Sequence, residues 1–94
     1  MTGVTGSWRI ESVQVNADKV VNEDFDRLVV SPSQITIEPA GIRLSVHQST
    51  SRSAILESRS DLFFAEYFKR DGQLTLELTR PAFREKVRFD ASLA

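Results

Sequence analysis

The chain has 94 residues, and its 12 Lys and Arg against 13 Asp and Glu give a net charge of −1. That length fits a single domain over 1–94, able to bury about two-thirds of the surface of its extended chain. The absence of cysteine excludes disulfides, thiolate nucleophiles and cysteine-bound metals, the balanced charge argues against a general nucleic-acid binder, and no apolar run nears the ~18 residues of a membrane-spanning helix.

The first six residues carry neither a basic nor an apolar export region, so no signal peptide is expected and the compartment stays open. A first strand is predicted over Gly6–Val15. Its apolar phase runs through Trp8 and Ile10 and then shifts to Val13 and Val15, which predicts a β-bulge near Glu11-Ser12. After a turn at Asn16-Ala17-Asp18, Lys19–Val21 reads as a short extension. Asn22-Glu23-Asp24 predicts a single helical turn, within Asn22–Arg27, that carries Phe25 toward the core. Further strands are predicted over Arg27–Ser31, Gln34–Glu38, Ile42–Gln48, Ser53–Ser58, Leu62–Lys69, Gln73–Thr79 and Arg84–Ala91. Ile35 and Ile37, Ile42, Leu44 and Val46, and Leu74, Leu76 and Leu78 each alternate with polar neighbours, the pattern of a half-buried strand. Pro32, Pro39-Ala40-Gly41, Asp71-Gly72 and Pro81 interrupt the ladder, and Gln48–Ser53 reads as a mobile hairpin loop. Short connections between about eight short strands predict an all-β, antiparallel up-and-down meander, closed or half-closed into a barrel.

Gly6-Ser7-Trp8 at the head of the first strand resembles the Gly-x-Trp that opens lipocalin and lipocalin-like barrels. The longer stretch from Gly6 to Val20, with a Lys19-Val20 pair after its polar turn, is similar to small lipocalin-like proteins of planctomycete bacteria. The similarity runs to about Val46. It implies a lipocalin-like barrel in which the glycine allows close approach and the Trp8 indole plugs one end. It implies no activity. The chain is shorter than a typical lipocalin and lacks its C-terminal helix and cysteines, departures that argue against a roomy cavity.

No catalytic constellation stands out. His47 is the lone histidine and alternates onto the polar face with Arg43 and Ser45, so no His-based metal site is expected. No phosphate loop, nucleophile elbow, EF-hand or His-Glu-x-x-His spacing is present. Nine of the twelve basic residues are arginine. In the last strand Arg84, Lys86 and Arg88 share one face, and Phe83, Glu85, Val87 and Phe89 the other. The basic face reads as an outer wall paired with acidic neighbours such as Glu77, with an anion-binding patch as the alternative.

Leu62–Lys69 admits two registers. A two-residue Asp71-Gly72 loop sets Tyr67 opposite Leu76 and Ala65 opposite Leu78, leaving Phe64 and Phe68 outside and Glu66 facing Glu77. A three-residue loop instead sets Phe68 opposite Leu74 and Phe64 opposite Leu78, turning Glu66 inward and Phe63 and Tyr67 outward. The second is favoured because it buries two phenylalanines and avoids a Glu–Glu pair. The expected function is a non-enzymatic binding module without cofactors. A small apolar ligand is placed at the barrel mouth among Trp8, Ile37, Leu44 and Phe64, with Glu66 or an arginine at its polar end. The alternative is a homodimer or other protein contact through exposed aromatics, Phe63 and Tyr67 in the favoured register.

Overall fold

The computed structural model describes residues 3–94, apart from the side chain of Phe83. Nine strands follow one another: β1 (Gly6–Val15), β2 (Asp18–Val20), β3 (Phe25–Val30), β4 (Gln34–Pro39), β5 (Ile42–Ser49), β6 (Ser53–Ser58), β7 (Asp61–Arg70), β8 (Gln73–Arg80) and β9 (Glu85–Leu93). From β3 to β9 each strand pairs antiparallel with the next, and β9 returns to β1, which closes an eight-stranded barrel with β2 as an extra strand. Up-and-down order is what connections of two to four residues permit, and closure leaves no long edge exposed.

β1 holds the barrel together. Its first half, Gly6–Arg9, pairs with β3, and its last residues, Val13–Val15, pair with β2, while β9 runs along its other side. The change of neighbour happens at the β-bulge between Ile10 and Ser12, where the apolar phase of the sequence shifts. Inward residues of all eight barrel strands form one core, in which Trp8, Leu28, Ile35, Leu44, Leu56, Leu74, Leu76 and Phe89 are fully buried. Each such side chain contributes about 1.5–3 kcal/mol by leaving water. Among the described residues no polar or charged one is fully buried.

Four local expectations are corrected. Asn22–Asp24 forms a tight turn rather than a turn of helix. The Asn22 side chain accepts from the Asp24 amide at 2.9 Å, its carbonyl accepts from Phe25 at 3.0 Å, and β3 already starts at Phe25. An asparagine side chain that caps the amide two residues on makes such a turn without a helical ladder. The 48–53 loop is shorter and better tied than a mobile loop. β5 continues to Ser49, and the Thr50 hydroxyl accepts from the amides of Arg52 (3.2 Å) and Ser53 (3.0 Å). The last strand begins at Glu85, because Pro81–Phe83 winds into a 3-10 turn ending in Arg84 at φ +50°. The expected place of the Phe83 side chain on the inner face lies outside the described residues.

The fourth correction concerns the β7–β8 register. Tyr67 faces Leu76, Ala65 faces Leu78 and Glu66 faces Glu77, so Asp71-Gly72 is a two-residue turn, with φ of +50° and +76°. The energetic order explains the outcome. A Glu–Glu pair on the outer wall costs up to about 1 kcal/mol, whereas an unpaired carboxylate inside an apolar barrel costs several. Asp-Gly suits the two positive angles of a primed hairpin turn.

Candidate functional site

The barrel has two unlike ends. One collects Gly6, the β3–β4, β5–β6 and β7–β8 turns and the end of β9. Trp8 plugs it, 1% exposed, its Nε1 donating to the Val4 carbonyl at 2.9 Å. The Lys69 ammonium lies 5.9 Å from the centre of the indole. The β5–β6 tip folds over the same end. The Tyr67 hydroxyl donates to the Thr50 carbonyl, and the Tyr67 amide donates to the Arg52 carbonyl at 2.8 Å. Burial pushes the Tyr67 phenol above its ordinary value of 10.0. Gly6 serves a different purpose from close packing. A Cβ there would meet nothing within 4 Å, but its φ of +138° is one that other residues rarely adopt.

The other end is open. Here an apolar cavity of about 260 Å³ enters the barrel, walled by Ile37, Leu44, Phe63, Leu78, Val87 and Phe89. Phe25, Val15 and Ile42 complete its apolar rim. The Phe25 ring meets Phe89 edge-on at 5.8 Å, which fixes the floor. Two charged residues line the mouth: Arg80 and Glu85, opposite each other on β8 and β9. Both continue inward-facing rows, Leu74-Leu76-Leu78-Arg80 on one strand and Glu85-Val87-Phe89 on the other.

Beside this mouth the wall is notched. β5 pairs with β6 only from Ser45 onward, so Ile42, Arg43 and Leu44 stand clear of the Arg59-Ser60 turn. A vestibule of about 680 Å³ occupies the notch and shares Ile42, Phe63 and Arg80 with the apolar cavity. Arg43, Arg59, Glu57 and Asp61 also line it. Glu57 lies 3.2 Å from the exposed His47 imidazole. Among the described residues neither Arg43 nor Arg59 forms an ion pair.

The residues singled out in the sequence therefore separate. Ile37 and Leu44 line the cavity. Trp8 is in the core at the opposite end and does not touch it. Phe64 and Glu66 are on the outer wall, whereas Phe63 lines the cavity and Tyr67 is buried. What the sequence reading missed as site residues, Arg80 and Glu85 above all, lay in its own alternation: the period that buries Leu78 and Val87 carries one step further to them. Of the basic face expected in the last strand, Lys86 lies 3.4 Å from Glu77 and Arg88 3.3 Å from Asp90, whereas Arg84 falls in the turn before β9.

The outer wall carries a second feature. Leu62, Phe64 and Phe68 project from β7 at 56%, 41% and 61% exposure, and Ile55, directly across from Phe64, is 39% exposed. The β5–β6 tip closes over the Trp8 end and leaves this stripe uncovered.

Among the described residues no three His, Cys, Asp or Glu side chains gather as metal ligands would, and no helix is long and apolar enough to cross a membrane. Comparison of the chain with protein-family models, with curated proteins and with solved structures finds no match.

Proposed function

We propose that the protein is a non-enzymatic binding module of the lipocalin-like kind, holding a small apolar ligand in the open mouth of its barrel. The observation that carries this reading is the apolar cavity of about 260 Å³ at the unplugged end. Eight-stranded barrels have just enough interior for side chains or one small ligand. A barrel that needed only stability would gain by filling this space, since each vacant methyl-sized volume costs about 1 kcal/mol. The Gly6-Ser7-Trp8 opening, with Trp8 as plug, supports the likeness to the small planctomycete proteins. The test is a calorimetric titration with 1-hexanol, a neutral probe whose six carbons the cavity has room for. Saturable one-to-one binding is expected, lost in a Leu78→Trp variant whose indole fills the cavity. Absence of saturable binding to the wild-type chain refutes the reading.

The stripe of Ile55, Leu62, Phe64 and Phe68 supports a second reading, a homodimer through the outer face of β7. Exposed apolar clusters rimmed by polar residues commonly mark contact surfaces. Sedimentation velocity over a wide concentration range tests it. Self-association that Phe68→Lys abolishes is expected, and a monomer throughout removes this form.

A further inference from the structure

Resting on the mouth-binding reading, we infer that the ligand is a single-chain carboxylate of about six to eight carbons, its tail in the apolar cavity and its head turned sideways into the arginine vestibule. Three observations carry this. The first is volume. About 260 Å³ is room for roughly eight groups of water or methylene size, at about 30 Å³ each. The floor of Phe89 and the core beneath it admit nothing longer.

The second is the continuity of the two spaces. The cavity and the vestibule share Ile42, Phe63 and Arg80. A tail seated between Leu44 and Leu78 therefore reaches solvent through the notch between β5 and the β6–β7 turn.

The third is charge. The vestibule is lined by three arginines, Arg43, Arg59 and Arg80, against two carboxylates, Glu57 and Asp61. Glu57 is turned to His47 at 3.2 Å. A carboxylate head placed straight up the barrel axis would meet Glu85, opposite Arg80. Placed sideways, it meets Arg43 and Arg59. Guanidinium forks take carboxylates in planar, two-point geometry. A cationic head turned into the same notch would instead meet three guanidinium groups against two carboxylates.

Calorimetric titration with octanoate, 1-octanol and octyltrimethylammonium tests the head group at constant tail length. Octanoate should bind at least about tenfold tighter than 1-octanol, the equivalent of one charge-assisted hydrogen bond, with the ammonium compound weakest. The double variant Arg43→Gln/Arg59→Gln should lose the preference for octanoate and keep its affinity for 1-octanol. Both side chains are exposed, so the variant should fold, and unchanged 1-octanol binding shows that it has. Equal binding of octanoate and 1-octanol, or a preference the double variant retains, overturns the inference about the head and leaves mouth binding standing. No binding of any of the three overturns both.

Discussion

Tyr67 is the only tyrosine in the chain, which makes one residue's environment directly readable. Its ring is in the core, and its hydroxyl is bonded to the Thr50 carbonyl. Because burial favours the neutral phenol, the folded-state pKa is above the ordinary 10.0. The contribution to stability is therefore complete below about pH 10 and is lost as pH rises toward and through the folded value. Tyrosinate absorbance should titrate above pH 10 in the native protein and near 10 in urea. A native midpoint at or below the denatured one contradicts this environment. Gly6 gives a second residue-scale lesson. Its presence was legible as part of a motif, but its reason, a backbone angle, is invisible in a string of letters.

At the scale of the element, the β7–β8 hairpin shows what patterning can and cannot decide. Every strand was legible to within two residues, because apolar alternation and Pro or Gly breaks are local signals. The facing of β7 was not, because both of its faces carry large apolar residues: Leu62, Phe64 and Phe68 on one, Phe63 and Tyr67 on the other. Where alternation is silent, small differences between turn geometry and carboxylate solvation choose the register, and a one-residue slip exchanges every inner and outer side chain. The error then propagated to the site, placing Phe64 and Glu66 in a cavity that Phe63 lines. Ile37 and Leu44, on strands with clean alternation, were placed correctly. Two substitutions check the register by unfolding in urea. Ala65→Phe, which overpacks the inner wall opposite Leu78, should cost about 1–3 kcal/mol. Glu66→Lys, across from Glu77, should stabilise by about 0.2–1 kcal/mol by replacing a like-charge pair with an opposite one. A neutral Ala65→Phe with a destabilising Glu66→Lys would point to the alternative register.

On the scale of the whole molecule, the barrel divides its labour between ends. The Trp8 end is plugged by its indole, the Val4 carbonyl and the Thr50–Arg52 tip, and takes up the burial that makes the fold stable. The opposite end keeps an unfilled apolar space whose side chains, Phe25, Phe63 and Val87 among them, are only partly covered. This asymmetry follows from the sequence in a simple way. Trp8 near the start of β1, Val30 at the end of β3 and Leu74 near the start of β8 are buried toward one end, while the long inward row of β8 finishes in a charge, Arg80, that has to stay near water.

The bulge in β1 has a consequence for how such a container could open. Because β1 trades β3 for β2 at Ile10–Ser12, no ladder joins β2 to β3, and the link between them is tied by the Asn22 turn, whose carbonyl accepts from the Phe25 amide. Backbone amides of β2 and of the link to β3 should therefore exchange with deuterated solvent sooner than those of β7, β8 and β9, which are hydrogen-bonded on both sides. Mass spectrometry of exchanged fragments would read this directly, and uniform protection around the barrel would contradict it. On the mouth-binding proposal, a wall that opens along one slit beside the cavity would give a ligand a way in that leaves the plugged core undisturbed.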